Sequence, residues 1–222
     1  MFFKRFRMRI MGICLAVVVL VLLVVCAKNR VILPPARNVP YPGLVDYADV
    51  NFDDVYHQAE AIARIRVGNW LGEDAGIKNR TFFEATVLEC YQGTMPEKFT
   101  LTQTGSSCGI DGRPLFTYGN ELVLFLKKNL DDEISYEDAY YNKGSFFSVF
   151  DVYYDYDGNR YYVVRNGWFG KSLPFTTPLS EIPMNEITEY AVKNDPILKE
   201  TGFGFSYAFT ESDFRELLEI EN

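Results

Sequence analysis

The sequence predicts a mainly β (α+β) fold preceded by one transmembrane helix, and three observations lead to this prediction. Residues 81–128 largely alternate apolar and polar side chains, with the period of two that is typical of half-buried strands. Aromatic residues make up 16% of the chain, and they favour the pleated surface of a sheet. Residues 10–27 form an apolar run that is long enough to cross a bilayer.

The apolar run predicts an uncleaved signal-anchor helix. At ~1.5 Å per residue, a helix over residues 10–27 would be about 27 Å long. Basic residues flank the run on both sides and are denser before it, so residues 1–9 are expected to stay in the cytoplasm as a basic tail. The body would then be extracytoplasmic, on a single-pass protein of the cell membrane. Cleavage after Ala27 and lipidation of Cys26 stay open as alternatives.

The rest of the chain divides into three predicted regions. Residues 28–47 contain four prolines, which fix φ and remove backbone donors, so they predict a semi-rigid spacer. Residues 48–170 hold the strands and a lead-in helix that Asn51 can cap. Residues 171–222 form a C-terminal extension with helices over residues 186–194 and 212–220, and Thr210 or Ser212 can cap the second of these. Residues 31–222 carry 16 basic and 30 acidic residues, and this net charge of −14 argues against nucleic-acid binding.

Five strands account for the alternating segments, the last of them a hairpin with an Asp-Gly turn at Asp157–Gly158. Strands that close on themselves need a common interior, which we expect Phe83, Val87, Val123 and Phe125 to share. The predicted strands are residues 61–70, 81–91, 98–104, 120–127 and 144–165.

A family pattern is visible in the positions of glycines and apolar residues. The pattern runs through Ala61–Val67, Phe83–Gly93, Gly119–Leu126 and Gly144–Val149. It resembles the small exported bacterial domains that look like the OB-fold barrel of tissue inhibitors of metalloproteases and netrin modules. The resemblance covers roughly residues 48–165.

The resemblance implies a five-stranded OB-like Greek-key barrel. In the animal inhibitors a free N-terminal Cys chelates the zinc of the target protease. No Cys of this chain begins an outer domain unless the chain is cut before Cys26. Protease inhibition is therefore not carried over to this chain.

The sequence offers little for catalysis or metal binding. His57 is the only histidine and has no second ligand in a metal-binding spacing, so we expect neither a metal site nor a cofactor. Cys90 and Cys108 are the two cysteines of the body, and a disulfide between them is predicted for an oxidising compartment. Closing that loop would stabilise the fold by ~3 kcal/mol.

Carboxylates near the hairpin leave an enzymatic alternative open. Asp155, Asp157 and the nearby Asp151 could form acid–base pairs or a weak cation site in a hydrolase acting outside the membrane. Asp155-x-Asp157 lacks the full spacing and the terminal Glu of a calcium loop. Turn formation is the simpler interpretation of these residues.

The tyrosines around the hairpin give the main functional prediction. They are too numerous to face one core, so some must be exposed or covered by the C-terminal segment. We expect a non-catalytic binding or envelope-interaction module whose partner is an envelope protein or a glycan. The candidate binding residues are Tyr153, Tyr154, Tyr156, Tyr161 and Trp168.

Overall fold

The computed structural model describes a mainly β fold, as the sequence predicts. The described residues are 17–18, 31–34, 51–74, 79–105, 115–131, 134–144, 148–164, 173 and 207–219. The strands are β1 (Ala61–Asp74), β2 (Arg80–Gln92), β3 (Lys98–Thr104), β4 (Glu121–Lys128), β5 (Ala139–Asn142), β6 (Phe150–Tyr154), β7 (Arg160–Val164) and β8 (Tyr207–Thr210), and the helices are α1 (Phe52–Gln58) and α2 (Glu211–Leu217).

Several predicted segments lie outside the described residues. They include the basic tail, nearly all of the apolar run and of the spacer, the helix expected over residues 186–194, Cys108 and Trp168. Among the residues that the structure describes, no helix is long and apolar enough to cross a membrane, and only Val17 and Val18 of the apolar run are described.

The pairing of the first five strands returns to its starting point. β1 pairs antiparallel with β2, and β2 pairs antiparallel with β3. β3 then pairs parallel with β5, β5 pairs antiparallel with β4, and β4 pairs antiparallel with β1. We call these five barrel-like strands the ring.

The last strand of the ring differs from the prediction. The sequence places it in residues 144–165, whereas β5 occupies Ala139–Asn142 and the predicted hairpin forms β6 and β7. β6 pairs with β4 at Leu122 and Val123, and β7 and β8 continue the sheet outward from it. We call β6, β7, β8, α1 and α2 the lateral layer.

Asn142 fills the gap between β5 and β6 along one edge of β4. Its Oδ1 accepts a hydrogen bond from the backbone N–H of Phe125 at 2.8 Å, and its Nδ2 donates to Ser148 Oγ at 2.9 Å. Lys143 N–H donates to the carbonyl of Phe125 at 2.7 Å. Buried backbone groups that no strand reaches are therefore satisfied, which lets two strands share one edge.

Two hydrophobic cores lie on opposite faces of β4. Leu122, Leu124 and Leu126 point into the ring, together with Phe83 and the partly buried Val87. The alternate residues of β4 face the lateral layer instead, where they meet the second core. The expectation that Val123 and Phe125 share an interior with Phe83 is therefore wrong, because β4 is buried on both faces. The second core contains Phe52, Val55, Ile62, Val123, Phe125, Phe150, Val152, Tyr162, Val164, Leu173, Phe209, Phe214, Leu217 and Leu218.

Both described helices begin at the caps that the sequence indicates. The side chain of Asn51 accepts a hydrogen bond from Asp54 N–H at 2.8 Å and caps α1. Thr210 caps α2 in a capping box with Asp213, which decides between the two caps that the sequence left open, Thr210 and Ser212.

Candidate binding surface

The tip of the β6–β7 hairpin is built around the carboxylate of Asp155. This carboxylate accepts hydrogen bonds from the backbone N–H groups of Asp157 at 2.9 Å and Asn159 at 2.8 Å. Tyr161 OH also donates to it at 3.0 Å, and Gly158 supplies the positive φ of +86° that the turn needs. Desolvation acts to raise the pKa of Asp155, but these hydrogen bonds outweigh it and hold the pKa below its ordinary value.

The candidate tyrosines of the hairpin fall into two groups. Tyr153 is only 5% exposed, which leaves little surface for a ligand. Tyr156 lies at the tip and is 72% exposed, while Tyr154 and Tyr161 are half-buried beside it. The described part of the predicted patch therefore narrows to Tyr154, Tyr156 and Tyr161, and Trp168 lies outside the described residues.

The carboxylates of the enzymatic alternative have different environments. Asp151 is 2% exposed in β6, opposite Val163, whereas Asp157 is exposed at the tip. Asp151 and Asp155 are four residues apart along an extended chain, about 13 Å at ~3.3 Å per residue. Among the described residues, no three His, Cys, Asp or Glu side chains come together so that they could hold a metal ion.

A network of ion pairs begins next to the hairpin, at Glu121 of β4. The carboxylate of Glu121 lies 3.0 Å from Arg64 Nη1 and 2.5 Å from Arg66 Nη2, and Tyr154 OH donates to it at 2.7 Å. Burial acts to raise the pKa of Glu121, but the hydrogen bonds from Arg66 and Tyr154 and the positive charge of Arg64 leave it below its ordinary value. The Tyr154 hydroxyl is therefore held by the ring.

The network continues from Arg64 to the C-terminal helix. Arg64 Nη2 lies 3.5 Å from Oε2 of Glu89, and Arg215 of α2 binds the other carboxylate oxygen of Glu89, Oε1, at 2.5 Å. Arg160 and Arg215 each bind Glu211 at 2.9 Å.

Tyr162 connects this network to the aromatic core. Its hydroxyl donates to Glu211 Oε2 at 2.7 Å and lies 3.0 Å from the hydroxyl of Tyr91. Burial raises the pKa of Tyr162, so its hydroxyl keeps its proton for this hydrogen bond. The ring of Tyr162 stacks on Phe214 at 3.9 Å. The network thereby fixes the lateral layer to β1, β2 and β4.

Sequence reasoning missed this network. The sequence assigns Arg64, Arg66, Glu89 and Glu121 only to segments of the family pattern and predicts no partner for any of them. Their alternation with apolar residues shows that they share a face, but their partners lie up to 126 positions away in the chain. A spacing pattern holds no information about such contacts.

Cys90 and His57 have no described role in a reactive site. Cys90 is an exposed residue of β2 whose Sγ lies 3.3 Å from the carbonyl oxygen of Gln92, and partial desolvation of the sulfur raises the pKa of its thiol. Because Cys108 lies outside the described residues, the disulfide stays a prediction. His57 is exposed on α1, and its Nδ1 lies 2.8 Å from the carbonyl of Asp53 within the same helix.

Comparisons with known proteins give no relative for this arrangement. No family model matches the chain, and neither the curated proteins nor the solved structures contain a match.

Proposed function

We propose that the chain is a membrane-tethered, extracytoplasmic binding module without catalytic activity, built on an OB-like barrel. The cyclic pairing of β1, β2, β3, β5 and β4 supports the barrel, since an OB-fold is a five-stranded Greek-key barrel. The proposed relationship to the barrels of metalloprotease inhibitors and netrin modules rests on the glycine and apolar positions of the family pattern. The apolar run at residues 10–27 supports the tether.

The observation that carries the proposal is the exposed tyrosine at a rigid hairpin tip. Tyr156 is 72% exposed although the turn around it is fixed by the hydrogen bonds of Asp155. Tyrosine side chains offer a large contact area at a low cost in conformational entropy, so a rigid, exposed tyrosine suits recognition of a partner. The partner is an envelope protein or a glycan, whose apolar faces can lie against the tyrosine rings.

The positions of the carboxylates favour binding over hydrolysis. In glycosidases, the two carboxyl groups that act as an acid–base pair lie about 5–9.5 Å from each other, on either side of the bond that is cleaved. Asp151 is buried, and Asp155 is about 13 Å away along the strand with its oxygens engaged in the turn. Glu89, Glu121 and Glu211 each bind arginine.

Binding to arrays of envelope glycans and peptides tests the proposed surface. The full chain should retain a subset of ligands, and Tyr156→Ala should weaken their binding at least tenfold, the loss typical of a contact residue worth about 1.4 kcal/mol or more. Tyr118→Ala is the matched control, because Tyr118 is also an exposed turn tyrosine, at 45%, outside the hairpin. Equal losses in the two variants would contradict the assignment.

Two further results would replace the proposal. Metal-dependent hydrolysis by the full chain that disappears in Asp155→Ala would establish the carboxylate enzyme instead. Release of the full chain from membranes by an alkaline wash would contradict the tether.

A further inference from the structure

The ion-pair network between the ring and the lateral layer contains more arginines than carboxylates. Within the part of the chain that the structure describes, its ion pairs join Arg64, Arg66, Arg160 and Arg215 to Glu89, Glu121 and Glu211. The network therefore carries one net positive charge, although residues 31–222 together carry a net charge of −14. Such a local surplus of positive charge favours a small anion at this point of the surface.

Two of these arginines have buried donors that no acceptor meets. Nε of Arg64 and Nε of Arg160 are buried and have no hydrogen-bond partner. An unpaired buried N–H group costs free energy, and its positive end is not offset by an acceptor. The glutamates of the network therefore do not neutralise its arginines completely.

Arg66 is the arginine of the network that is open to solvent. Its side chain is 55% exposed, whereas the side chains of the other three arginines are at most 25% exposed. Its Nη2 binds Oε1 of Glu121 at 2.5 Å, and this is the one hydrogen bond that its guanidinium makes to the described residues. The guanidinium is thus anchored through one nitrogen, and its Nε and Nη1 can donate to a ligand's carboxylate.

Glu121 also brings this guanidinium next to the β6–β7 hairpin. Tyr154 OH donates to Oε2 of Glu121 at 2.7 Å, so Arg66 and Tyr154 bind the two oxygens of one carboxylate. Arg160 lies directly opposite Tyr154 in the hairpin and adds its positive charge on the same side. Tyr156 follows two residues after Tyr154, a stretch of chain that spans at most about 7 Å. A ligand that contacts the ring of Tyr156 can therefore extend to Arg66.

We propose that the partner of the hairpin tip is a glycan that carries a carboxylate, as in a uronic acid, and that Arg66 binds this carboxylate while Tyr156 contacts a neighbouring sugar. This inference rests on the proposed function, because it names the ligand class of the same surface. A uronic acid holds its carboxylate on a rigid ring with an apolar face, so little conformational freedom is lost when both groups are bound. One carboxylate suits the site better than a polyanion, which the acidic body repels.

Titration of the full chain with a disaccharide that contains one glucuronic acid, and with the uncharged methyl ester of that disaccharide, tests the carboxylate contact. The unmodified chain should bind the acid at least about tenfold more tightly than the ester, because hydrogen bonds between charged groups are the stronger ones. Arg66→Gln should remove this difference. It should leave the affinity for the ester unchanged, which also shows that the variant is folded. Calorimetry at low ionic strength measures the affinities.

Lys98→Gln is the matched control, because Lys98 is an exposed basic residue of β3 outside the network and its loss changes the net charge of the chain equally. The control should bind both sugars like the unmodified chain. An equal loss of affinity for the acid in Lys98→Gln and Arg66→Gln would overturn the inference, because it would show an effect of overall charge. Failure of either sugar to bind the unmodified chain would overturn it as well.

Tyr156→Ala separates this inference from the proposed function. The variant should weaken the binding of the acid and of the ester alike, because Tyr156 contacts a sugar that both contain. Equal affinities for the acid and the ester that still fall in Tyr156→Ala would overturn the acidic glycan alone. Binding of an acidic peptide that depends on Tyr156, without binding of the acid sugar, would do the same. A preference for the acid that requires Arg66 but not Tyr156 would contradict both this inference and the proposed role of the hairpin tip.

Discussion

The ring and the lateral layer share β4 but are held together in different ways. The ring has strands of up to 14 residues, and its interior is lined mainly by aliphatic side chains such as Ile65, Leu101 and Leu124. The lateral layer has strands of four or five residues. Its described core is a chain of aromatic contacts that runs from Phe52 through Phe125 and Phe150 to Phe214.

The difference shows where each region obtains its stability. The long ladders of the ring satisfy the backbone over many consecutive residues, so its strands support one another. The short strands of the lateral layer need aromatic packing and the network of Glu89, Glu121 and Glu211 with arginine. The ring is accordingly the scaffold, and the lateral layer presents the hairpin tip that we propose for binding.

Phe214→Ala should have the largest effect and should act mainly on the lateral layer. Phe214 is fully buried against Tyr162, Phe150 and Tyr91, so truncation should cost about 3–5 kcal/mol. In urea, the near-UV signal of the aromatic core should be lost at a lower denaturant concentration than the far-UV β signal of the ring. Leu101→Ala, the matched change in the ring, should lower both signals together. Identical profiles for the two variants would contradict the separation.

Gly93→Ala should have an intermediate effect on stability. Its comparison with Gly158→Ala distinguishes steric overlap next to the ring from backbone strain alone in the β6–β7 hairpin. Gly93 has φ of +78°, and an added Cβ would lie 2.2 Å from the carbonyl oxygen of Glu60. Strain and overlap together should cost about 3 kcal/mol. Gly158 has φ of +86°, but no atom lies within 4 Å of an added Cβ. Gly158→Ala should therefore lower the free energy of unfolding by only about 1 kcal/mol, from backbone strain alone. Thermal unfolding measures both, and equal losses would contradict the close approach at Gly93.

Glu121→Gln should have the smallest effect, and one that depends on pH. The pKa of Glu121 is lowered in the folded protein, so its stabilisation is complete above the unfolded pKa and is lost as pH falls through the folded pKa. We expect a loss of about 1–2 kcal/mol at neutral pH that shrinks below about pH 4.3. Denaturant unfolding of the unmodified protein and of Glu121→Gln, from neutral pH to below the ordinary pKa of Glu, measures this loss. The exposed Glu97→Gln should change stability by less than about 0.5 kcal/mol, and a pH-independent deficit in Glu121→Gln would contradict the linkage.

The sequence predicts the ring better than the lateral layer for a physical reason. In β1 to β3, polar side chains such as Arg64, Glu84 and Thr100 alternate with apolar ones, so the period of two identifies the strands and their inner side chains, although β3 is buried on both faces. β4 is buried on both faces, and its continuous apolar run does not show which residues enter the ring. That is why Val123 and Phe125 were assigned to the wrong core.

The candidate surface is predictable only in part. The Asp-Gly turn identifies the hairpin, and the helix caps are visible because their partners lie three residues away. The burial of Tyr153, the short β8 and the ion pair of Arg80 with Asp131 depend on residues distant in the chain. Neither local spacing nor composition specifies such contacts.

Native-state hydrogen exchange tests the central claim, that a stable ring carries a less stable lateral layer, most directly. The account predicts that amides of β6, β7 and β8 exchange through local opening at a lower free energy than amides of β1, β2 and β4. Addition of a ligand of the hairpin tip should protect the lateral layer and leave the ring unchanged. Exchange of both sets in one global unfolding step, with one free energy, would contradict the account.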